Sequence, residues 1–191
     1  MENYVGIDLA GDPKNPTGWA FLHKRIVKIK ELFSDEEILR ETLSTEPDVV
    51  AIDAPLTLPK KGVTRKADRN MHGYGYHVLP PLFPAMKMLT YRGIGLAEKL
   101  REKRVEVIEV HPASTRKALA MSTKDWKEIQ KIFTEMSLEI QEKVLTSHQI
   151  DAITSAITAH LHAKGEEERV GDEEEGYIIV PAKKSWRGIK L

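Results

Sequence analysis

The chain has 191 residues, 41% of them hydrophobic and 30% charged, a globular composition long enough to bury a core without staples. Its 29 basic and 29 acidic residues leave no net charge, so the balance names no polyanionic partner. There is no cysteine, which excludes disulfides, zinc–thiolate centres and cysteine nucleophiles.

Residues 4–9 (YVGIDL), 17–23 (TGWAFLH) and 25–32 (RIVKIKEL) read as three strands in an antiparallel meander. The first carries an acid, Asp8, at the end of an apolar run. A helix follows from a Ser34/Glu37 capping box to about Ser44, and Pro47 stops it. Residues 48–53 (DVVAID) form a continuous apolar strand that ends in a second acid, Asp53, as expected of a central strand covered on both faces. Residues 57–84 are irregular and rich in Pro, Gly, His and Tyr, and a loop of that length in a compact domain is usually functional. A helix spans about 84–103, and a fifth strand, 105–110 (VEVIEV), ends near Glu109 and His111. Two or three helical segments lie between 113 and 143, with Trp126 and Phe133 expected in the core. The last helix, about 148–164, has a Thr146/Gln149 capping box and stops at Gly165. An acidic linker over 165–176 then leads to a short strand, YIIV, and a basic tail.

This order predicts one α/β domain over 1–191: a mixed five-stranded sheet, three strands antiparallel and then two parallel, with helices on both faces. The basic stretch 57–104 and the C-terminal 165–191 are its elaborations. No apolar run approaches the roughly 20 residues that span a bilayer, and the chain opens on a strand with no charged-then-apolar leader, so a cytoplasmic protein with no membrane partner is expected.

Sites in open α/β sheets form at the carboxyl ends of parallel strands. Asp8, Asp53 and Glu109 fall there, and His148 and Asp151, three apart, share one face of the last helix's first turn. Clustered carboxylates repel one another unless a cation neutralises them. Oxygen ligands with one imidazole suit Mg²⁺ or Mn²⁺. Two such ions about 4 Å apart activate a water and stabilise the leaving oxygen of a phosphodiester.

The segments GIDLAG, PTGWA, VVAIDAPL, IEVHPAST, HQIDAITSAITA and EGYIIVP, with Arg65, Lys66, Ala67, Asp68 and Arg69, resemble a large family labelled as a domain of unknown function, number four hundred and twenty-nine. That family is described as predicted nucleases with an RNase H fold. The layout is similar to that of the RuvC-type resolvases. The resemblance implies two metal ions held by Asp8, Asp53, His148 and Asp151, with Asp where the resolvases carry Glu in the fourth strand. Glu109 joins the candidate catalytic acids by position, and His111 stands beside it. Between Pro59 and Arg104 there are eleven Lys/Arg against three Asp/Glu. Basic residues contact phosphates and aromatics stack on unpaired bases, so Arg65, Asp68, Arg69, Tyr74, Tyr76 and His111 are the candidate substrate contacts. The function expected is a metal-dependent nuclease acting on nucleic acid or a nucleotide. Its alternatives are a non-catalytic nucleic-acid-binding module and an ATP-binding protein of the actin and sugar-kinase type. Resolvase-like work on a junction needs a homodimer, for which YIIVP is a candidate edge.

Overall fold

A computed structural model describes residues 2–191. Strands β1 (Asn3–Asp8), β2 (Thr17–His23) and β3 (Ile26–Leu32) form the expected antiparallel meander. Strand β4 (Val49–Ile52) lies parallel to β1, and β5 (Glu106–Val110) parallel to β4. The α/β class and the mixed sheet are as the sequence predicts. The strand count is not: the sheet has eight strands among the described residues, in the order β6-β3-β2-β1-β4-β5-β8-β7.

The additional strands are β6 and the β7–β8 hairpin, which joins the sheet through β8 beside β5. Strand β6 is only Glu139–Ile140, parallel to the start of β3. The acidic stretch expected to be a linker is β7 (Glu167–Asp172), paired antiparallel with β8 (Gly176–Pro181). Within it Val170 is buried, packed with Ala67, Met71 and Ile178, while Glu168 and Arg169 are exposed. Since β8 sits between β5 and β7, YIIVP is not the free edge expected for pairing with a second copy.

Helices α1 (Asp35–Leu43) and α3 (Lys87–Glu102) cover one face. Helix α6 (Ser147–Ala163), flanked by α4 (Pro112–Ala118) and α5 (Trp126–Glu135), covers the other. The period-two rule of a strand divides the core between them. Val5, Ile7, Val50, Ile52 and Val107 pack with Ile38, Leu96 and Leu100. Tyr4, Ala20, Val49, Ala51 and Ile108 pack with Ile150, Ile153 and Ile157 of α6. Both predicted capping boxes are present, Ser34 with Glu37 and Thr146 with Gln149. The 57–84 stretch contains one helix, α2 (Lys66–Gly73), which packs on β7 and β8 through Ala67, Met71 and Val170. No helix among the described residues is long and apolar enough to cross a membrane.

Candidate active site

The register of β1 and β4 places the first two acids together. Ile7 is opposite Ile52, and the Asp53 amide donates to the Ile7 carbonyl at 2.8 Å, so Asp8 and Asp53 follow as neighbours at adjacent strand ends. By alternation they share the parity of Tyr4, Gly6, Val49 and Ala51, the side facing α6.

Helix α6 reaches them because two glycines let it. A Cβ on Gly6 would lie 2.0 Å from the Ala152 carbonyl oxygen, and one on Gly18 would lie 2.2 Å from that of His148. Gly18 pairs with Asp8 across the β1–β2 ladder. The N-terminus of α6 therefore rests on the strand pair at the level of Asp8, and His148 Nδ1 stands 2.7 Å from Asp8 Oδ2.

The three aspartates stand in one another's field. Burial raises Asp8 from its ordinary 3.8 to about 6, against the hydrogen bond from His148 and with help from the Asp151 charge. Asp53 is pushed well above the usual carboxylate range by burial and then by Asp8 and Asp151. Burial also raises Asp151, and Arg116 opposes that rise.

Arg116, which sequence reasoning missed, is the cation facing this group. It is buried, its Nη1 donates to Asp151 Oδ1, and its guanidinium lies 5.3 Å from the centroid of the Trp126 ring. Its buried Nε has no hydrogen-bond partner among the described residues. The available signal was a pair of charges, Arg116 and Lys117, after Pro112, Ala113, Ser114 and Thr115 on a short helix. Trp126, expected in the core, is 39% exposed and serves as the stacking surface for Arg116, whereas Phe133 is buried as expected.

Glu109, expected among the catalytic acids, lines the same cavity as Asp8 and Asp53 but is tied to Arg65. Ile52 pairs with Glu109, while Ile108 and Val110 face α6, so Glu109 points to the opposite side of the sheet from Asp8 and Asp53. There Arg65 donates to both its oxygens, at 2.7 and 2.6 Å, and the Leu56 amide adds a third bond at 2.8 Å. Burial raises the Glu109 carboxyl, and Arg65 works against that. Burial opposes the charge on Arg65, but Glu109 and Asp68 outweigh it and hold the guanidinium protonated.

Arg65 and Asp68, expected at the substrate, are each 1% exposed and joined at 2.8 Å. They tie the 57–73 segment to Glu109, and all three line the cavity beside Asp8 and Asp53. Tyr76, also expected at the substrate, is buried against Met71, Val78 and Ile178. Tyr74 and Arg69 are exposed. His111 is half-buried, 2.6 Å from Ser114 Oγ through Nδ1, and burial with the Arg116 charge lowers it to about 4, so it is neutral at pH 7.

A cavity of about 350 Å³ opens beside Asp8 and Asp53, with Leu79, Met86, Leu89 and His111 among its walls. The donor chemistry fits a hard divalent cation: carboxylates in mutual repulsion, with one imidazole in contact. No group of three or more metal-ligating side chains converges on one point among the described residues, and Asp151 is paired with Arg116.

The family model described as "Protein of unknown function (DUF429)" matches residues 6–176. The chain belongs to this family. Among solved structures, this family member is similar to a Thermus thermophilus RuvC structure, with a TM-score of 0.53 at 15% identity, covering 84% of this chain and 95% of that one. T. thermophilus RuvC in complex with a Holliday junction substrate gives a TM-score of 0.50 at 16% identity, covering 84% and 94%. These likenesses show a RuvC-like, RNase H fold. No curated protein matches the chain. The family and the resolvase layout expected from the motifs are borne out.

Proposed function

We propose that this protein is a divalent-metal-dependent nuclease. One observation carries the reading: Asp8 and Asp53 end adjacent parallel strands on the side where α6 delivers His148 and Asp151. RuvC, whose fold this chain shares, is known in complex with a Holliday junction, and that supports nucleic acid as the substrate class. Asp8, Asp53, His148 and Asp151 would hold two Mg²⁺ or Mn²⁺ ions. Bound there, such ions would neutralise the carboxylates and supply Lewis acidity to a phosphodiester.

The chain's own groups do the rest. His148 keeps its Nδ1 against Asp8 and fixes that carboxylate's orientation. Arg116 positions Asp151. The rigid strand ends hold Asp8 and Asp53 more firmly than a loop could. Labelled single- and double-stranded DNA, RNA, an RNA–DNA hybrid and a four-way junction, each incubated with Mg²⁺ or Mn²⁺, test the reading. Cleavage that needs metal and disappears in Asp8→Asn is expected. No cleavage of any substrate, or equal cleavage by the variant, removes it.

A second reading, a nucleic-acid-binding module without catalysis, is favoured by one observation: Asp151 is already paired with Arg116. Metal-independent binding that is unchanged in Asp8→Asn, with no cleavage, selects it.

A further inference from the structure

The cavity beside Asp8 and Asp53 has a character that the carboxylates alone do not explain. Its volume of about 350 Å³ lies at the small end of the roughly 300–1,000 Å³ that ligand pockets span. That is the scale of one nucleotide and excludes two paired strands. Its floor is acidic and includes Arg65, neutralised by Asp68 and Glu109, but Leu9, Val78, Leu79, Met86 and Leu89 form apolar walls, and His77 and His111 supply imidazole edges. A flat heterocycle asks for that combination: apolar contact for its faces and a few hydrogen-bonding groups for its rim. His111 is neutral at pH 7, so it offers a base edge a hydrogen bond and offers a phosphate no charge.

The roof is fixed. The Thr90 hydroxyl donates to the Pro81 carbonyl at 2.9 Å, the Leu82 amide to Val63 at 3.3 Å, and Lys117 Nζ to Gly75 at 2.8 Å. The His72 ring lies 3.0 Å from the Val78 carbonyl oxygen through Nε2. The same segment exposes Tyr74, Leu79, Phe83, Met88 and Tyr91, and Lys61, Arg69 and Lys87 are also exposed there. Stacking faces interleaved with cations suit a single strand, since every base has a π-face and every linkage a charge. They extend beyond what a free mononucleotide would touch.

We infer that this cavity takes one unpaired nucleobase, so that the substrate is a strand with unpaired nucleotides and not a continuous duplex. The inference rests on the nuclease reading for the role of Asp8 and Asp53, and on the cavity for the base.

Binding is measured by fluorescence anisotropy in the Asp8→Asn background, so that no strand is cut. The probes are a short labelled single strand, as DNA and as RNA, the same strand fully paired, and a nucleoside monophosphate as competitor. Leu79 is 55% exposed, so Leu79→Asp tests the wall without disturbing the core, and Leu79→Met is the conservative control. The single strand is expected to bind about tenfold tighter than the duplex, and Leu79→Asp to weaken it by about tenfold while Leu79→Met keeps it. Equal affinity for strand and duplex, or no effect of Leu79→Asp, overturns the inference. A monophosphate that competes as well as the oligonucleotide overturns its strand form.

The two readings fail separately. Metal-dependent cleavage of duplex and single strand alike, lost in Asp8→Asn, keeps the nuclease and removes the base cavity. Leu79-dependent binding of single strands without cleavage keeps the cavity and removes the nuclease.

Discussion

Asp8 holds a carboxyl that is easier to ionise in the unfolded chain than in the native one, 3.8 against about 6. The native state binds the extra proton, so stability is lost as pH rises from 3.8 through 6 and the full cost, roughly 3 kcal/mol, stands at pH 7. Without divalent metal, Asp8→Asn is therefore expected to melt higher than wild type at pH 7.5, with the gap closing at pH 4. A lower melting temperature for the variant at pH 7.5 contradicts the burial argument. The wild-type acid costs stability, which fits a group kept for chemistry. Arg116 is the opposite case. Arg116→Met keeps the length but leaves Asp151 without its cation, and breaking a buried pair from one side costs about 3 kcal/mol. Urea denaturation is expected to show that loss at pH 7.5 and a smaller one at pH 4, where Asp151 takes up a proton. An equal loss at both pH values would assign Arg116 to packing on Trp126 alone. Sequence reasoning found Asp8 because an acid closing an apolar run stands out locally. It passed over Arg116 because its partners, Asp151 and Trp126, are distant in the chain and no local pattern marks them.

The element that assembles the site is α6, and the residues that admit it are glycines on the strands beneath. Gly18 faces Asp8 across the ladder and lies under the His148 backbone, so a methyl group there must lift the start of α6. Gly18→Ala is expected to cost about 1–3 kcal/mol, the usual cost of overpacking, and to break the His148–Asp8 hydrogen bond. The His148 imidazole chemical shifts, compared by NMR in wild type and Gly18→Ala at one pH, check this; coincident resonances would contradict it. Other elements hold the roof. Arg92 on α3 donates to the Ala10 and Phe33 carbonyls and to Asp35, tying the helix to the turn after β1 and to the start of α1. The tip of the β7–β8 hairpin holds the 57–66 stretch, because Glu175 accepts from the Lys60 and Lys66 amides at 2.7 Å each, and Glu174 and Asp172 pair with the same two lysines. The acids read as a linker are thus part of the structure that fixes the proposed substrate loop.

Across the whole molecule, this pairing changes what the basic loop can do. Eleven Lys/Arg lie between Pro59 and Arg104, which if all met phosphates would give a salt slope near about −8 for a single strand. Arg65, Lys60, Lys66 and Arg92 are instead committed to Glu109 and Asp68, Glu174, Asp172 and Asp35. Lys99, Arg101, Lys103 and Arg104 sit at the far end of α3 and just beyond it. Lys61, Arg69 and Lys87 remain exposed on the segment that contributes to the cavity wall, so the expected slope of log K against log salt is only about −2. Binding titrations over a range of KCl concentrations check it, and a slope near −8 would mean that the internal pairs open on binding. Much of the outcome was legible in order and pattern: the α/β class, the antiparallel meander continued by parallel strands, both capping boxes, and four residues, Asp8, Asp53, His148 and Asp151, at one sheet end. These follow from local periodicity and from the rule that parallel strands place their carboxyl ends together. The tertiary structure alone decided the pairing of β6 with β3 and of β8 with β5, the side of the sheet on which Glu109 falls, its tie to Arg65, and the burial of Tyr76. Each depends on register between segments far apart in the chain. A shift of one residue moves a side chain to the other face, and no single segment specifies what it will meet there.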